Sequence, residues 1–292
     1  MQERIRRICE ARGHATRSVS SLRDLPHGSE PVIVIDAAAL IALATHGELD
    51  DLLGRRFVFV VGENIDRAGS TFVGWQKAAE LRDMTLKPGG RLREVIQRAW
   101  RITWQSDRVR DAERQIRSEA GLFFPIDGYE PSVLVPAIAP PDRDIDLLFY
   151  GSMSFPRRAN FARRMFETPL LTDRRIVVAS NVFDLDDLLS RAKIVLHVNA
   201  VDDCEHVPYA KIVKPLANHR PTFVETTPEL ERSDLRRFIA TFAVDDDGLF
   251  SVLRETLDNF PARQADLDAL DPRDWLERNY DFERNVVELL SL

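Results

Sequence analysis

Cysteine is nearly absent. Cys9 and Cys204 are the only two in 292 residues, which excludes a disulfide framework and fits a reducing cytoplasm. No Cys/His cluster has zinc-site spacing, so no resident metal is expected. No apolar run reaches the roughly 18 residues that a membrane helix needs, and no membrane span is expected. The opening residues, MQERIRRICEARGH, lack the apolar centre of a secretory signal, so the expected location is cytoplasmic. Positive charge is not in excess either. Forty Lys and Arg stand against 47 Asp and Glu, for a net charge of −7, which argues against a general nucleic-acid binder. The arginines at 91–117 and 157–164 leave one local basic groove open, with solvated helix faces as the plainer reading. No short repeat marks a solenoid. Finally, a nucleotide-binding domain normally opens on a strand, a glycine-rich turn and a helix. This chain opens on the helix, so its first strand is either absent or supplied in another way.

What is present is ordinary for a globular protein, with 44% hydrophobic and 30% charged residues. The length suggests two domains of about 150 residues each. An amphipathic helix is expected at 2–12 and a short strand in ATRSVSSL. VIVIDAAAL reads as a buried strand passing into a helix at 37–53, and FVFVVGENID as a strand with its exit loop. Helical pieces follow at 75–83, 91–99 and 107–121, with RITW and GLFF as strands between and after them. PAIAPPDRD at 136–144 fits an interdomain linker, dividing the chain into 1–139 and 140–292. Beyond it the pattern predicts strands at 145–150, 175–179, 194–198, 221–225 and 239–243. Helices are predicted at 157–167, 184–192, 209–218, 229–235 and 246–259, and the chain closes in a helix pair over 271–292. Strands alternating with helices make an α/β protein with parallel sheets and right-handed crossovers.

In such sheets ligands sit outside the carboxyl ends of the strands. His197, Asn199, Glu205 and Glu225 fall at those ends or in the loops just beyond. Gly151 ends an apolar run and leads into Arg157 and Arg158. The stretch from Asp144 to Glu225 therefore reads as a site for an anionic, sugar-containing nucleotide.

The runs DLLFYGSMSFPRR, VLHVNAVDDCEHVPYAKIVKPLANHRPTFVE and LERNYDFERNVVELL, in that order, resemble the GT-B glycosyltransferases, especially small bacterial and phage members similar to family 1. EARGHATRSVSS, and WQSDRVRDAERQ before GLFFPIDGYEP, match more weakly. The resemblance implies two facing Rossmann-like domains. The first is an acceptor-side domain that either lacks its opening strand or supplies it otherwise. The second, C-terminal domain binds the nucleotide sugar, and the last helix either stays with it or packs back on the first. The sequence departs from the family pattern in places. Glu205 stands near the first of two glutamates that retaining members carry, but Lys214 stands on or beside the second. Lys211 occupies the place of a subgroup's arginine, and His219 that of a turn glycine.

Each candidate has a functional and a plain reading. Gly151 either admits a diphosphate to the bare backbone or ends a strand. Arg157 and Arg158 begin a helix after Pro156, where free N–H groups and guanidinium favour phosphate. One of them, Arg157 by preference, is the phosphate ligand and the other a surface residue. Lys211 is a cation for the departing diphosphate or a surface lysine, with Lys214, near the same helix face, as its substitute. Glu225 accepts the ribose hydroxyls, as the acid of dinucleotide folds does, or is a strand-end acid. Glu205 faces sugar hydroxyls or is solvated. His197 is a ligand or a packed core histidine, and Asn199 and Tyr209 are lesser donor contacts. On the acceptor side, Asp36 and Glu63 end apolar strands and are candidate general bases or helix caps, with His46 behind them.

The expected activity is a metal-independent transfer of a hexose from a nucleotide diphosphate sugar to an acceptor held between the domains. That acceptor is a small molecule, a glycan or a modified DNA base. Two rival readings stand beside it: a noncatalytic relative that binds a nucleotide or partner, and a phage DNA-base glycosyltransferase.

Overall fold

A computed structural model of the chain describes residues 2–26, 28, 31–61, 85, 88–104, 114, 116, 122–123, 128–180, 184–202, 204, 207–246 and 248–290. The chain divides into two compact units. The first is Met1–Ile126 together with Phe282–Leu292, and the second is Asp127–Asp281.

In the first unit, strands β1 (Val32–Ile35), β2 (Phe57–Val60), β3 (Arg101–Trp104) and β4 (Leu122–Phe123) form a parallel sheet in the order β1-β2-β3-β4. A sheet that adds every strand on the same side keeps its right-handed crossovers on one face. Helices α2 (Asp36–Thr45), α3 (Leu49–Leu53) and α4 (Arg91–Arg98) pack there. Leu40, Leu52, Leu92 and Ile96 meet Phe57 and Phe59 of β2. Side chains alternate along a strand, so Val58 and Val60 point the other way and are also fully buried. They are covered by α1 (Gln2–Ala11) through Ile5 and Ile8, and by α12 (Phe282–Leu290) through Phe282, Val286 and Leu289. The spacing of those residues places them on one helix face.

Two expectations for this unit need correction. ATRSVSSL is not a strand. Of residues 15–22 only Leu22 is buried, so the segment has no apolar face to commit to a sheet. Ser21 caps a short 3₁₀ turn instead. The helix expected over 37–53 is broken into α2 and α3 at Gly47, whose φ of 68° leaves the helical region. Glu48 next to it is buried and accepts from Ser21 Oγ and the Leu22 N–H, both at 2.6 Å. The helices expected at 75–83 and over most of 107–121 lie outside the described residues.

In the second unit, β5 (Ile145–Tyr150), β6 (Ile176–Ala179), β7 (Ala192–His197), β8 (Thr222–Glu225) and β9 (Ala240–Phe242) form a parallel sheet in the order β6-β5-β7-β8-β9. Both faces are covered. On one, Phe161 and Met165 of α5 (Pro156–Glu167) and Leu253 and Leu257 of α9 (Leu249–Asp258) pack on Phe149, Leu196 and Phe223. On the other, Leu189 of α6 (Leu185–Arg191) packs on Leu148 and Val195. Ile212 and Leu216 of α7 (Tyr209–Ala217) pack on Val224 on that side. Helices α8 (Pro228–Arg232), α10 (Phe260–Leu270) and α11 (Pro272–Asn279) complete the unit.

The proline-rich segment belongs to this second body, so the units part at 126/127, not at 139/140. Within that segment Arg143, 6% exposed, donates to Gln264 Oε1 at 2.8 Å, and just before it Val133 and Leu134 pack against the core. The Asn218 amide accepts from the Val135 N–H at 2.8 Å and donates to the Val133 carbonyl at 2.9 Å. Arg220, 3% exposed, donates to the carbonyls of Leu189, Ser190 and Asn218 at 2.8–3.0 Å. It ties the end of α6 to the turn before β8.

Candidate functional site

The order of the second sheet reverses once, between β5 and β7. At such a switch point the two neighbouring crossovers leave toward opposite faces and open a crevice at the strands' carboxyl ends. Gly151, Val198 and Asn199 stand at that end. The chain after β5 turns at Gly151, whose N–H donates to Ala179 at 2.9 Å, and enters α5 at Pro156. No side chain caps α5, so its first-turn N–H groups and the positive end of its dipole are open to an anion.

Arg158 reaches back over Gly151. Its Nε donates to the Val198 carbonyl at 2.8 Å, which bridges the ends of β5 and β7. Its Nη1 would lie 3.2 Å from a Cβ placed on Gly151. With φ at 151°, that position suits glycine on both counts. Burial lowers the Arg158 pKa from its ordinary value, with the Cys204 and Glu225 charges working in the opposite sense. Neither Nη group has a hydrogen-bond partner among the described residues, so both are available to an anion. Lys211 in the first turn of α7 holds its ammonium 4.3 Å from the ring centre of Tyr150, the residue before Gly151.

Arg157 is differently placed. It grips Glu225 with both Nη groups, Nη1 to Oε2 at 2.6 Å and Nη2 to Oε1. It also donates to Asp202 through Nε and to the Asn199 carbonyl at 3.3 Å. The Asn199 N–H in turn donates to Glu225 Oε2 at 2.7 Å. Burial opposes the Arg157 charge, but the two carboxylates more than offset it and hold its pKa above the usual value. Glu225 is 7% exposed. His197, buried, sets Nε2 3.3 Å from the Asn199 Oδ1.

The structure thus brings together Gly151, Arg157, Arg158, His197, Asn199, Lys211 and Glu225. Neither arginine is a surface residue; both are half-buried. Two other candidates lie elsewhere. Tyr209 is buried in the core beside Tyr280, with ring centres 5.6 Å apart. Lys214, nearly one turn further along α7, is paired with Asp186 on α6, so its charge is already met by a carboxylate. Glu205 and Glu63 lie outside the described residues. So does the side chain of Asp36, whose backbone opens α2. His46 ends α2 at its C-cap. His219 adopts φ 53°, the left-handed turn that a glycine would take most readily, and its Nδ1 lies 2.8 Å from Asp268. Sequence reasoning missed Asp202 as the partner of Arg157. The acidic run AVDDCE was its one signal.

No family model matches the chain, and no curated protein sequence matches it. Solved structures do. The chain is similar to Anabaena HepE in complex with UDP and glucose, with a TM-score of 0.63 at 11% identity over 89% of this chain and 77% of that one. It is similar to the sucrose-phosphate synthase of Thermosynechococcus elongatus, with a TM-score of 0.54 at 12% identity over 88% and 71%. The DNA-modifying enzyme β-glucosyltransferase matches over 99% of this chain and 92% of that one, with a TM-score of 0.52 at 10% identity. At such identities the likeness is one of fold, and the fold is GT-B, α/β with two parallel-sheet units.

Proposed function

We propose that this chain is a glycosyltransferase that takes a hexose from a nucleoside diphosphate sugar without a resident metal. The observation that carries the reading is the pair of cations, Arg158 over Gly151 and Lys211 over Tyr150, at the switch point of the second sheet. The bound nucleotides of HepE, whose fold is similar, support it. In the reaction the bond from the anomeric carbon to the β-phosphate oxygen breaks and a bond to the acceptor oxygen forms. Charge grows on the departing diphosphate. Arg158, Lys211 and the N-terminus of α5 would meet it, stabilising the transition state more than the ground state. Glu225 would hold the pentose, and Glu205 and Asn199 the sugar side. The acceptor's proton would pass to Asp36 or Glu63 in an inverting reaction, or to the departing phosphate in a retaining one.

The test is calorimetric titration with UDP, GDP, ADP and their sugars. Absence of binding to all of them at millimolar concentration sinks the proposal. Turnover separates an enzyme from a noncatalytic binder: transfer or donor hydrolysis that Lys211→Ala abolishes eliminates the binder. Localisation in the cytoplasm follows from the nucleotide sugar as substrate, and fractionation of the producing cell checks it. Among the described residues no helix is long and apolar enough to cross a membrane.

A further inference from the structure

Resting on the nucleotide reading above, we infer that Glu225 reads the pentose of the bound nucleotide through one hydroxyl, not two. A carboxylate offers about four acceptor positions, two on each oxygen. On Oε2 both are taken, by Arg157 Nη1 at 2.6 Å and by the Asn199 N–H at 2.7 Å. On Oε1 one is taken by Arg157 Nη2. One position remains among the described contacts, and two vicinal ribose hydroxyls need two.

Arg157 does not yield the second position cheaply. Its side chain is 16% exposed and that of Glu225 is 9% exposed. Its Nε and the second N–H of Nη1 are engaged by Asp202 and by the Asn199 carbonyl. Freeing Glu225 would break a buried two-pronged ion pair in exchange for one hydroxyl hydrogen bond, and breaking such a pair costs more than that bond returns. Arg157 is thus a positioning residue. It aims a single oxygen of Glu225 and sets which pentoses are accepted. The substrate class that follows is a nucleoside diphosphate sugar whose pentose needs one hydroxyl at the right carbon. A donor lacking the neighbouring hydroxyl is taken as readily as the ribonucleotide.

The test uses the full chain and calorimetry. The tightest binder among UDP, GDP and ADP is compared with its own 2′-deoxy and 3′-deoxy forms. One deoxy form is expected within about threefold of the parent and the other to be weaker by about tenfold or more. Loss of about tenfold with both forms means that Glu225 holds both hydroxyls. Loss with neither means that it holds none. Either result overturns the inference and leaves nucleotide binding intact, whereas failure of all three parents to bind removes the nucleotide reading itself. Arg157→Gln supplies the second arm. It opens the blocked positions, so the tolerated deoxy form should weaken by about fivefold relative to its parent. An unchanged ratio in that variant overturns the role given to Arg157. If the variant does not fold, the wild-type ratios decide alone.

Discussion

The two sheets are built from the same materials, short apolar parallel strands separated by helices, yet among the described residues only the second reverses its strand order. The first adds strands in one direction, β1 to β4. Among the described residues α2, α3 and α4 gather on one face, and α1 and α12 cover the other. The second lays β6 on one side of β5 and β7 on the other, so both faces receive helices and a switch point results. The cations Arg158 and Lys211 belong to that sheet. Topology, more than composition, decides which unit is suited to a ligand.

Four substitutions would break or sharpen this contrast. The largest effect is expected for Phe282→Ala. Phe282 is fully buried under the first sheet with the Arg4 guanidinium 3.9 Å from its ring centre, and truncation should cost about 4 kcal/mol. Hydrogen exchange should show the loss confined to β1–β3, with nucleotide affinity kept. A loss spread equally over both sheets would mean that their cores are not independent.

Next comes Arg220→Met in the second unit. It leaves three carbonyls without their donor and should cost about 3 kcal/mol by urea unfolding. Exchange should quicken in β7 and β8 and not in β2.

Arg158→Ala removes the guanidinium over Gly151. It should weaken nucleoside diphosphate binding by about thirtyfold, roughly 2 kcal/mol, and lower stability to unfolding by about 1 kcal/mol through the freed Val198 carbonyl. An unchanged Kd would deprive the crevice of its main cation.

The smallest effect belongs to Asp144→Asn at the opposite end of the sheet. Hydrogen bonds from Arg191, aided by the Arg175 and Arg191 charges, hold the Asp144 pKa at about 2. The folded pKa is below the unfolded one, so the stabilisation is present above the unfolded value and disappears as pH falls through about 2. The gap between wild type and variant in urea midpoint should therefore narrow over that window. A gap constant down to pH 2 would contradict it.

Legibility in the sequence follows the same contrast. In the second unit β5 falls where the apolar run IDLLFY predicts it, and the other strands and α5, α6, α7 and α9 match within a few residues. Each is a short apolar run bounded by turn residues, so a local window suffices. ATRSVSSL misled because β-branched and small residues alone do not make a strand without a face to bury. The domain border misled because proline marks a stiff segment, not a detached one. Phe260–Leu270 was not foreseen as a helix, since its apolar residues follow no clear face. At the site, strand ends were readable and pairings were not. Arg157 and Glu225 lie 68 positions apart, and only the register of β5, β7 and β8 brings them together. Lys211 and Lys214 are alike on paper, and their neighbours alone tell them apart.

The return of α12 to the first sheet also imposes an order on biosynthesis. Val58 and Val60 have only α1 to cover them on one side until residues 282–290 have left the ribosome, although their own strand emerged long before. The later-made unit holds every strand it needs by Asp281 and can consolidate first, the reverse of the usual N-to-C progression. Released chains truncated just short of Phe282 should carry a protease-resistant second unit beside a first that is still open to cleavage.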